Sequence, residues 1–293
     1  MLELILKKIL PKKIVNVLKQ KIFSAKQKRI EKLKILDAND IESIFRDKLG
    51  LRRGDVVFIH SSLGNMNIAI SPFQVLDIIL SIIEVEGTVL FPSYPQLTSY
   101  KFVESGKSFN VKRTPSYMGI LSEIARRHPK SRRSLHPTKS VVAIGKYAEE
   151  LTRGHEESIY PYDEFSPYLK INNYKGKIIG FGVSTVNLSC VHCVDDHLKE
   201  KFPVMPYHNK IFPVKCIDSE GVEVEVNTYA HDMAKMGFDI PAFIKKHVEK
   251  EFCEDLKIEG VNFFKADAKK LYEKMINLAL EGNTIYKKKD YKK

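Results

Sequence analysis

Apolar residues in this chain fall into two patterns, short continuous runs and longer runs with helical spacing. Four continuous runs predict strands buried on both faces: 56–60, 88–91, 141–144 and 177–181. Runs with helical spacing predict the helices between and before them: 37–48, 73–83, 118–127 and 146–151. Strands that alternate with helices indicate an α/β sheet covered on both faces.

The pattern changes after Pro203. Segments 210–216 and 222–228 alternate apolar and polar residues on either side of Ser219-Glu220-Gly221, which predicts an antiparallel hairpin. Helical spacing then returns at 240–255 and 265–281. We therefore expect a single α/β domain with a central mixed sheet flanked by helices and a hairpin in its C-terminal half, spanning residues 37–286. Polar residues 93–114 are expected to form an active-site loop.

The N-terminal segment 1–36 is predicted to be a basic amphipathic helical arm, with two helices joined at Pro11. Lysines separate its apolar residues, and two interpretations stay open. In the first interpretation, the arm lies on an anionic membrane surface. In the second, it packs against its own body or against a second subunit in a homodimer. A basic tail, 287–293, ends the chain.

The charge of the chain is unevenly distributed. The net charge is +12, but residues 1–34 carry eleven Lys and Arg against two acids, and the tail carries five Lys against one Asp. Residues 35–286 are therefore near neutral, which argues against a nucleic-acid-binding body. No apolar run reaches the length of a membrane span, no signal peptide is recognised, and four cysteines give no disulfide framework. We expect a cytoplasmic protein.

Polar residues flank two of the predicted strands. His60-Ser61-Ser62 follows the first strand, where hydroxyls and backbone N–H groups can hold phosphate; helix capping is the alternative. Arg132, Arg133, Ser134 and His136 precede the third strand. Two arginines can pair with a phosphate, but a surface arginine pair beside a structural histidine explains the same pattern.

The segment after the fourth strand contains a histidine and carboxylates at helical spacing. His192 lies three residues before Asp195 and four before Asp196, so on a helix they share a face and a carboxylate can fix the imidazole as a general base. The alternatives are a structural helix, a nucleophilic Cys193, or a metal bound by nearby cysteines and histidines. The spacing matches no standard zinc pattern, and no metal is expected. His231-Asp232 is a second candidate pair.

Six blocks of sequence together resemble the aminoglycoside 3-N-acetyltransferase family, also called the antibiotic N-acetyltransferase family. They are GDVVFIHSSL at 54–63, GTVLFPSY at 87–94, TPSYMG at 114–119, RRSLHPTKSVVAIG at 132–145, EFSP at 164–167, and GKIIGFGV with the following His192 at 176–192. The resemblance covers roughly residues 40–235. It implies a single α/β domain and direct acyl transfer from acetyl-CoA, or a longer hydroxyacyl-CoA, to a primary amine of an amino sugar.

The resemblance also implies roles for individual residues. His192 would be the general base, oriented by Asp195 or Asp232. Residues expected to bind acyl-CoA are His60, Ser61, Ser62, Leu63, Arg133, Ser134, His136, Ser140 and Ser166. Residues expected to bind the acceptor are Tyr94, Thr98, Tyr100 and His231.

Two departures from the family pattern bear on the acceptor. Asp195 stands where the family has Glu, and the loop from Pro95 to Tyr100 lacks the acids that bind polycationic drugs. Because desolvated cations need partners, we expect a nucleotide-linked (dTDP or UDP) amino-deoxysugar used in surface polysaccharide, handled at the inner face of the membrane. The alternatives are aminoglycoside acetylation conferring resistance and a non-catalytic membrane-associated binding protein.

Overall fold

The structure is a computed structural model and describes residues 12–234 and 237–286. Its helices are α1 Lys12–Glu31, α2 Ala38–Ser43, α3 Pro72–Ile83, α4 Ser99–Glu104, α5 Ile120–Arg127, α6 Ala148–Thr152, α7 Pro167–Lys170, α8 Cys193–Leu198, α9 Ile240–His247 and α10 Ala268–Leu280. Its strands are β1 Val56–Ser61, β2 Thr88–Pro92, β3 Phe109–Asn110, β4 Arg132–Arg133, β5 Val141–Gly145, β6 Lys177–Phe181, β7 Tyr207–Ile217, β8 Glu223–His231, β9 Cys253–Ile258 and β10 Val261–Asp267.

Seven of these strands form one mixed sheet in the order β4-β5-β2-β1-β6-β10-β9. Strands β2, β1 and β6 are mutually parallel, and the other neighbours pair antiparallel. A second sheet has the order β3-β7-β8, with β7 and β8 antiparallel. The predicted α/β class, mixed central sheet and C-terminal hairpin are confirmed.

Each face of the large sheet covers its own hydrophobic core, which explains the continuous apolar runs. In β1, Val57 and Ile59 pack in a core with residues of α3, while Val56 and Phe58 pack in the opposite core with residues of α10. Successive side chains of a strand point to opposite faces. A central strand between two helical layers is therefore apolar at every position.

Helix starts agree with local capping chemistry. Asp37 caps α2 and Ser71 caps α3, each in a capping box with the residue three positions later. Pro72 occupies the first turn of α3, where its missing N–H costs nothing. The predicted loop 93–114 is less irregular than expected, because it contains α4 and β3.

The predicted helices 240–255 and 265–281 are wrong at the C-terminal end of the first and at the N-terminal end of the second. The first helix ends at His247, and residues 253–258 and 261–267 form the antiparallel pair β9–β10. Glu259 and Gly260 both have positive φ and make the two-residue turn between these strands. Pairing of β10 with the edge of β6 outweighs helical propensity here, and the Glu-Gly pair between two apolar runs was the available signal.

The described part of the N-terminal arm is the single helix α1. Residues 1–11, including the predicted joint at Pro11, and the tail 287–293 lie outside the described residues. In α1, Val15 and Ile30 are buried, whereas Ile22 and Phe23 are 67% and 62% exposed. Contact with a membrane or with a second subunit stays a prediction. Among the described residues, no helix has both the length and the apolarity needed to cross a bilayer.

A close approach between β6 and β10 provides a test of the core packing. Gly180 faces the ring of Phe264, and a Cβ at this position would lie 2.0 Å from the ring carbon Cδ1. We expect Gly180→Ala to lower the free energy of unfolding by about 1–3 kcal/mol, because the ring has to shift within a packed core. The change is measured by urea unfolding.

Gly64→Ala is the matched control for this substitution. No heavy atom would lie within 4 Å of a Cβ at Gly64, so we expect a change within roughly 0.5 kcal/mol. Equal midpoints for the two variants would contradict the packing described between β6 and β10.

Candidate active site

A pocket of about 400 Å³ opens beyond the carboxyl ends of the parallel strands. The segment after β2 and the segment after β6 both line it, and the end of β8 closes one side. Its polar lining consists of Tyr94, Gln96, Thr98, Ser99, Thr138, Lys139, Tyr162, Asn187, Ser189, His192 and His231. This edge of an open α/β sheet is where ligands commonly bind.

The end of β6 is brought close to β1 by a glycine. Gly182 has φ +77°, and a Cβ there would lie 2.5 Å from the carbonyl oxygen of Ser62. Only glycine adopts this backbone conformation without strain. The chain can therefore turn over the end of β1 and continue into the segment that carries His192.

His192 forms a buried hydrogen-bonded pair with Asp195. Residues Ser189–His192 form a 3-10 turn that leads into α8, and the spacing of three residues places the two side chains together. His192 Nδ1 lies 3.0 Å from Asp195 Oδ2, and the side chains are 8% and 2% exposed. Because Nδ1 faces the carboxylate, Nε2 is the ring nitrogen available to the pocket.

A third residue, Tyr286, contacts this pair, and it was not predicted from the sequence to be a site residue. Its hydroxyl donates to Asp195 Oδ2 and lies 3.3 Å from His192 Nδ1. Nothing near Tyr286 in the sequence marks it as part of a site. Only its position in the folded chain reveals the contact.

The other two candidate carboxylates contact different groups. Asp196 accepts hydrogen bonds from the backbone N–H of Tyr162 at 2.7 Å and from the hydroxyl of Tyr207 at 2.6 Å. Asp232 accepts from the backbone N–H of Ala234 and lies 4.0 Å from His208 Nδ1. Asp195 is therefore the carboxylate that hydrogen-bonds His192.

Lys139 supplies a cation to the pocket. Its Nζ lies 4.7 Å from the ring centroid of Tyr94 and 5.5 Å from that of Tyr162. Burial lowers the pKa of Lys139 to about 8, and the charge of nearby Asp196 opposes this shift. Among the described residues, no carboxylate forms an ion pair with its ammonium group, and none lines the pocket.

His231 also lines the pocket, with its ring centroid 6.0 Å from that of Tyr162. Burial, and then the charge of Lys139 and the neighbouring His192, hold the pKa of His231 well below its usual range. The rings of His192 and His231 are 5.3 Å apart. Within the described residues, His231 Nε2 has no hydrogen-bond partner. The imidazole of His231 is therefore held in its neutral form.

The N–H groups of Arg133 donate hydrogen bonds to other groups of the protein. It donates to the backbone carbonyls of Ser93, Val111 and Thr114 and to Ser140 Oγ, and its guanidinium lies 4.7 Å from the ring centroid of Phe109. Burial lowers the pKa of Arg133 to about 9. The side chain ties the loop after β2 to β5, and phosphate binding by Arg133 stays a prediction.

The polar residues around Arg133 form a buried network. Ser140 Oγ donates to the carbonyl of Ser134, and Ser134 Oγ bonds His155 Nδ1. His136 Nδ1 accepts from the backbone N–H groups of Thr138 and Lys139, and its ring stacks on His155. This network fixes the backbone that presents Lys139 to the pocket, and CoA contacts by Ser134, His136 and Ser140 stay predictions.

The remaining residues expected to bind CoA lie near strand and helix ends. His60 is buried between Phe58 and Phe264, and burial lowers its pKa to about 3. Ser61, Ser62 and Leu63 are half-buried at the end of β1. Ser166 is buried and caps α7 by accepting from the N–H of Tyr168. Their contact with CoA stays a prediction.

Three of the four predicted acceptor residues line the pocket. Tyr94, Thr98 and His231 do so, and the hydroxyl of Tyr94 contacts Tyr168 and Ser189. Tyr100 instead stacks on His208, with ring centroids 4.0 Å apart. The structure thus brings His192 together with most of the predicted acceptor set.

Cysteine nucleophiles and a metal site receive no support. Cys193 is 1% exposed, and burial raises the pKa of its thiol well above the ordinary value, which disfavours the reactive thiolate. Among the described residues, no group of three or more His, Cys, Asp or Glu side chains is arranged to hold a metal ion.

The protein therefore belongs to the class of α/β proteins that carry a histidine–carboxylate pair at the carboxyl edge of the sheet. The family model described as aminoglycoside 3-N-acetyltransferase matches residues 58–278, well over half of the chain. The chain belongs to this family, and the resemblance found from the six sequence blocks is confirmed.

Curated relatives match about half of the chain. The aminoglycoside N(3')-acetyltransferase-like protein YokD of Bacillus subtilis is 27% identical over 165 residues, covering 50% of this chain and 60% of that protein. Aminoglycoside N(3)-acetyltransferase III of Salmonella sp is 27% identical over 163 residues, covering 50% of this chain and 55% of that enzyme. The matches thus span less than two thirds of these relatives.

Solved structures share the fold across most of the chain. The binary complex of AAC-IIIb with CoASH has a TM-score of 0.70 at 18% identity, covering 87% of this chain and all of that one. AAC-VIa bound to sisomicin has a TM-score of 0.70 at 21% identity, covering 85% of this chain and 99% of that one. At these identities the likeness shows the fold alone.

Arg133 provides a test that separates a structural role from phosphate binding. We expect Arg133→Lys to lower the free energy of unfolding by about 2–4 kcal/mol, because an ammonium group cannot reach carbonyls on both sides and leaves some unpaired. CoA affinity of the folded fraction should change less than about twofold. The measurements are urea unfolding and calorimetric CoA titration.

Arg132→Lys is the matched control. Arg132 is exposed and pairs with exposed Glu149, so we expect a change below about 1 kcal/mol. An Arg133→Lys protein with unchanged stability and much weaker CoA binding would instead assign Arg133 to the CoA phosphates.

Proposed function

We propose that this protein transfers the acetyl group of acetyl-CoA to a primary amine of an amino sugar, with aminoglycosides as the first acceptor class to test. The observation that carries the proposal is the buried His192–Asp195 pair in the pocket at the carboxyl edge of the sheet. Family membership supports the same reaction.

The chemistry follows from the state of the two reactants. A sugar ammonium must lose a proton before it can attack, and His192 Nε2 accepts that proton while Asp195 holds Nδ1. The amine nitrogen then forms a bond to the thioester carbonyl carbon. The C–S bond breaks and CoA leaves as a thiolate, which takes up the proton that the attacking nitrogen loses as it becomes an amide; His192 returns its own proton to solvent.

The pocket contains groups that fit an acyl-thioester and its oxyanion. Within the described residues, Thr138 Oγ1 and His231 Nε2 are buried without hydrogen-bond partners, and both residues line the pocket. Buried polar atoms are normally paired, so these two are available for ligand. Ser189 and Lys139 add a hydroxyl and a positive charge where the tetrahedral oxyanion would need donors.

The comparisons favour an aminoglycoside over a nucleotide-linked sugar. The relatives are named aminoglycoside acetyltransferases, and one structural neighbour is titled as bound to sisomicin. None of the matches reported above is named for a nucleotide-linked sugar. The expected dTDP- or UDP-linked acceptor therefore has no support beyond the sequence departures that suggested it.

The lining of the pocket favours a second candidate, an amino sugar that carries a single amine. Lys139 lies in the pocket, and no carboxylate of the described residues lines it. A polycationic aminoglycoside would approach Lys139 with no acid in the pocket lining to compensate, since buried Asp196, whose charge acts on Lys139, already accepts from Tyr162 and Tyr207; this costs binding energy.

A separate proposal concerns α1. Its Ile22 and Phe23 are exposed beside lysines, and we propose that this helix contacts a membrane surface or a second subunit of a homodimer.

The general base is tested by His192→Ala. We expect kcat to fall by about 10²–10⁴-fold while acetyl-CoA affinity changes little, because the base acts on the acceptor amine. Thiol release from acetyl-CoA and calorimetric titration measure the two quantities. His197→Ala, at an exposed position on α8, is the control and should retain activity; a folded His192→Ala enzyme with full turnover would refute the assignment.

The acceptor class is tested by Lys139→Met. Removing the cation should lower the KM of a polycationic aminoglycoside by about tenfold, since one desolvated like-charge contact is lost. The KM of a neutral or anionic single-amine sugar should stay constant or rise. Lys146→Met removes an exposed lysine that lies over Tyr147 outside the pocket, and it should leave both values unchanged.

The outcome of this experiment decides between the two acceptor classes. Wild-type turnover of aminoglycosides with micromolar KM, unaffected by Lys139→Met, would eliminate the single-amine candidate. Turnover of single-amine sugars alone would eliminate aminoglycosides as the acceptor.

A further inference from the structure

Tyr286 lies beyond the last residue of the family match, residue 278, yet its hydroxyl reaches the centre of the site. The segment that carries it follows α10 and returns to the body through a bridge between Phe238 and Tyr286. The backbone N–H of Asp239 also donates to the carbonyl of Ile285 at 3.2 Å. The C-terminal segment is thereby fixed against one wall of the pocket.

The contact of Tyr286 with Asp195 is specific in its atoms. The hydroxyl donates to Oδ2, the same carboxylate oxygen that lies 3.0 Å from His192 Nδ1. Two donors thus share one acceptor oxygen. A hydrogen bond to a charged group is stronger than one between neutral groups, so the phenol restrains the rotation of the carboxylate and draws on its negative charge.

We propose that Tyr286 is a positioning residue for the catalytic pair, holding Asp195 in the orientation that fixes His192 and limiting how strongly the carboxylate stabilises the imidazolium. The inference rests on the proposed function of His192 as the base. With this role for Tyr286, the C-terminal segment, which lies beyond the residues that the family model matches, is a component of the active site.

The state of the phenol is compatible with this role. Burial, and then the charge of Asp195, raise the pKa of Tyr286 well above its usual value. The phenol therefore remains a hydrogen-bond donor throughout the working pH range. Its ring also packs edge-on against Phe202 and Phe238, so a substitution must preserve the ring.

Other titratable groups also face His192 and would act on its charge. His231, from β8, has its ring 5.3 Å away, and Tyr162, from the segment before α7, has its ring 5.4 Å away. Lys139 lies over the Tyr162 ring, and buried Asp196 follows Asp195 on α8. All four are unchanged in a Tyr286 variant, so a difference from wild type reports the phenol hydroxyl.

The test is Tyr286→Phe, which keeps the ring and removes the hydroxyl. We expect kcat to fall about tenfold, because one hydrogen bond to a charged group is lost, with the KM of acetyl-CoA unchanged. Asp195 freed from the phenol stabilises the imidazolium more strongly. The acid limb of the kcat/KM profile should therefore move to higher pH.

Tyr272→Phe is the matched control, since that tyrosine lies on α10 with its ring against His197, outside the pocket. It should leave kcat and the pH profile as in the wild type. A Tyr286→Phe enzyme with the wild-type pH profile and kcat would overturn the inference. So would a uniform loss of stability with no change in profile.

A readout without activity keeps this inference separate from the proposed function. The NMR titration of the His192 imidazole in the full chain, assigned by comparison with His192→Ala, should shift to higher pH in Tyr286→Phe. If the wild type transferred no acetyl group to any amine, the proposed function would fail, while this titration would still decide the coupling of Tyr286 to His192.

Discussion

Parallel pairing of β2, β1 and β6 is the constraint on which the site depends. It places the carboxyl ends of three strands at one edge of the sheet, so that the segments after β2 and β6 meet there. Tyr94 and His192 lie 98 residues apart in sequence and line the same pocket for this reason. The apolar strands between two helical layers make the edge rigid.

The two cations near this edge are accommodated in different ways. Arg133 is paired with backbone carbonyls and stacks on Phe109, and its charge is used within the protein. Lys139, in the segment between β4 and β5, lies over the rings of Tyr94 and Tyr162 and forms no ion pair among the described residues. Residues 132–140 therefore combine an arginine that anchors the structure with a lysine that lines the pocket.

Much of this architecture could be predicted from the sequence. The structure contains the four buried strands, the hairpin and the His192–Asp195 contact that local sequence patterns predict. The β9–β10 pair was not predicted: residues 253–255 and 265–267 also fit the ends of helical spacings, 256–264 carried no assignment, and only pairing with β6 decides for strands. The ring nitrogens of His136 contact the backbone N–H groups of Thr138 and Lys139 and the hydroxyl of Thr228, and its contact with CoA stays a prediction.

The α/β class, the family and the position of the histidine–carboxylate pair follow from the sequence alone, since they depend on short-range periodicity and on ordered motifs. The folded structure was needed to show that Asp195 rather than Asp232 hydrogen-bonds His192, that Lys139 lies in the pocket, and that Tyr286 contacts the pair. Those contacts join residues distant along the chain, and their distances are fixed by packing of whole elements, which local patterns do not encode.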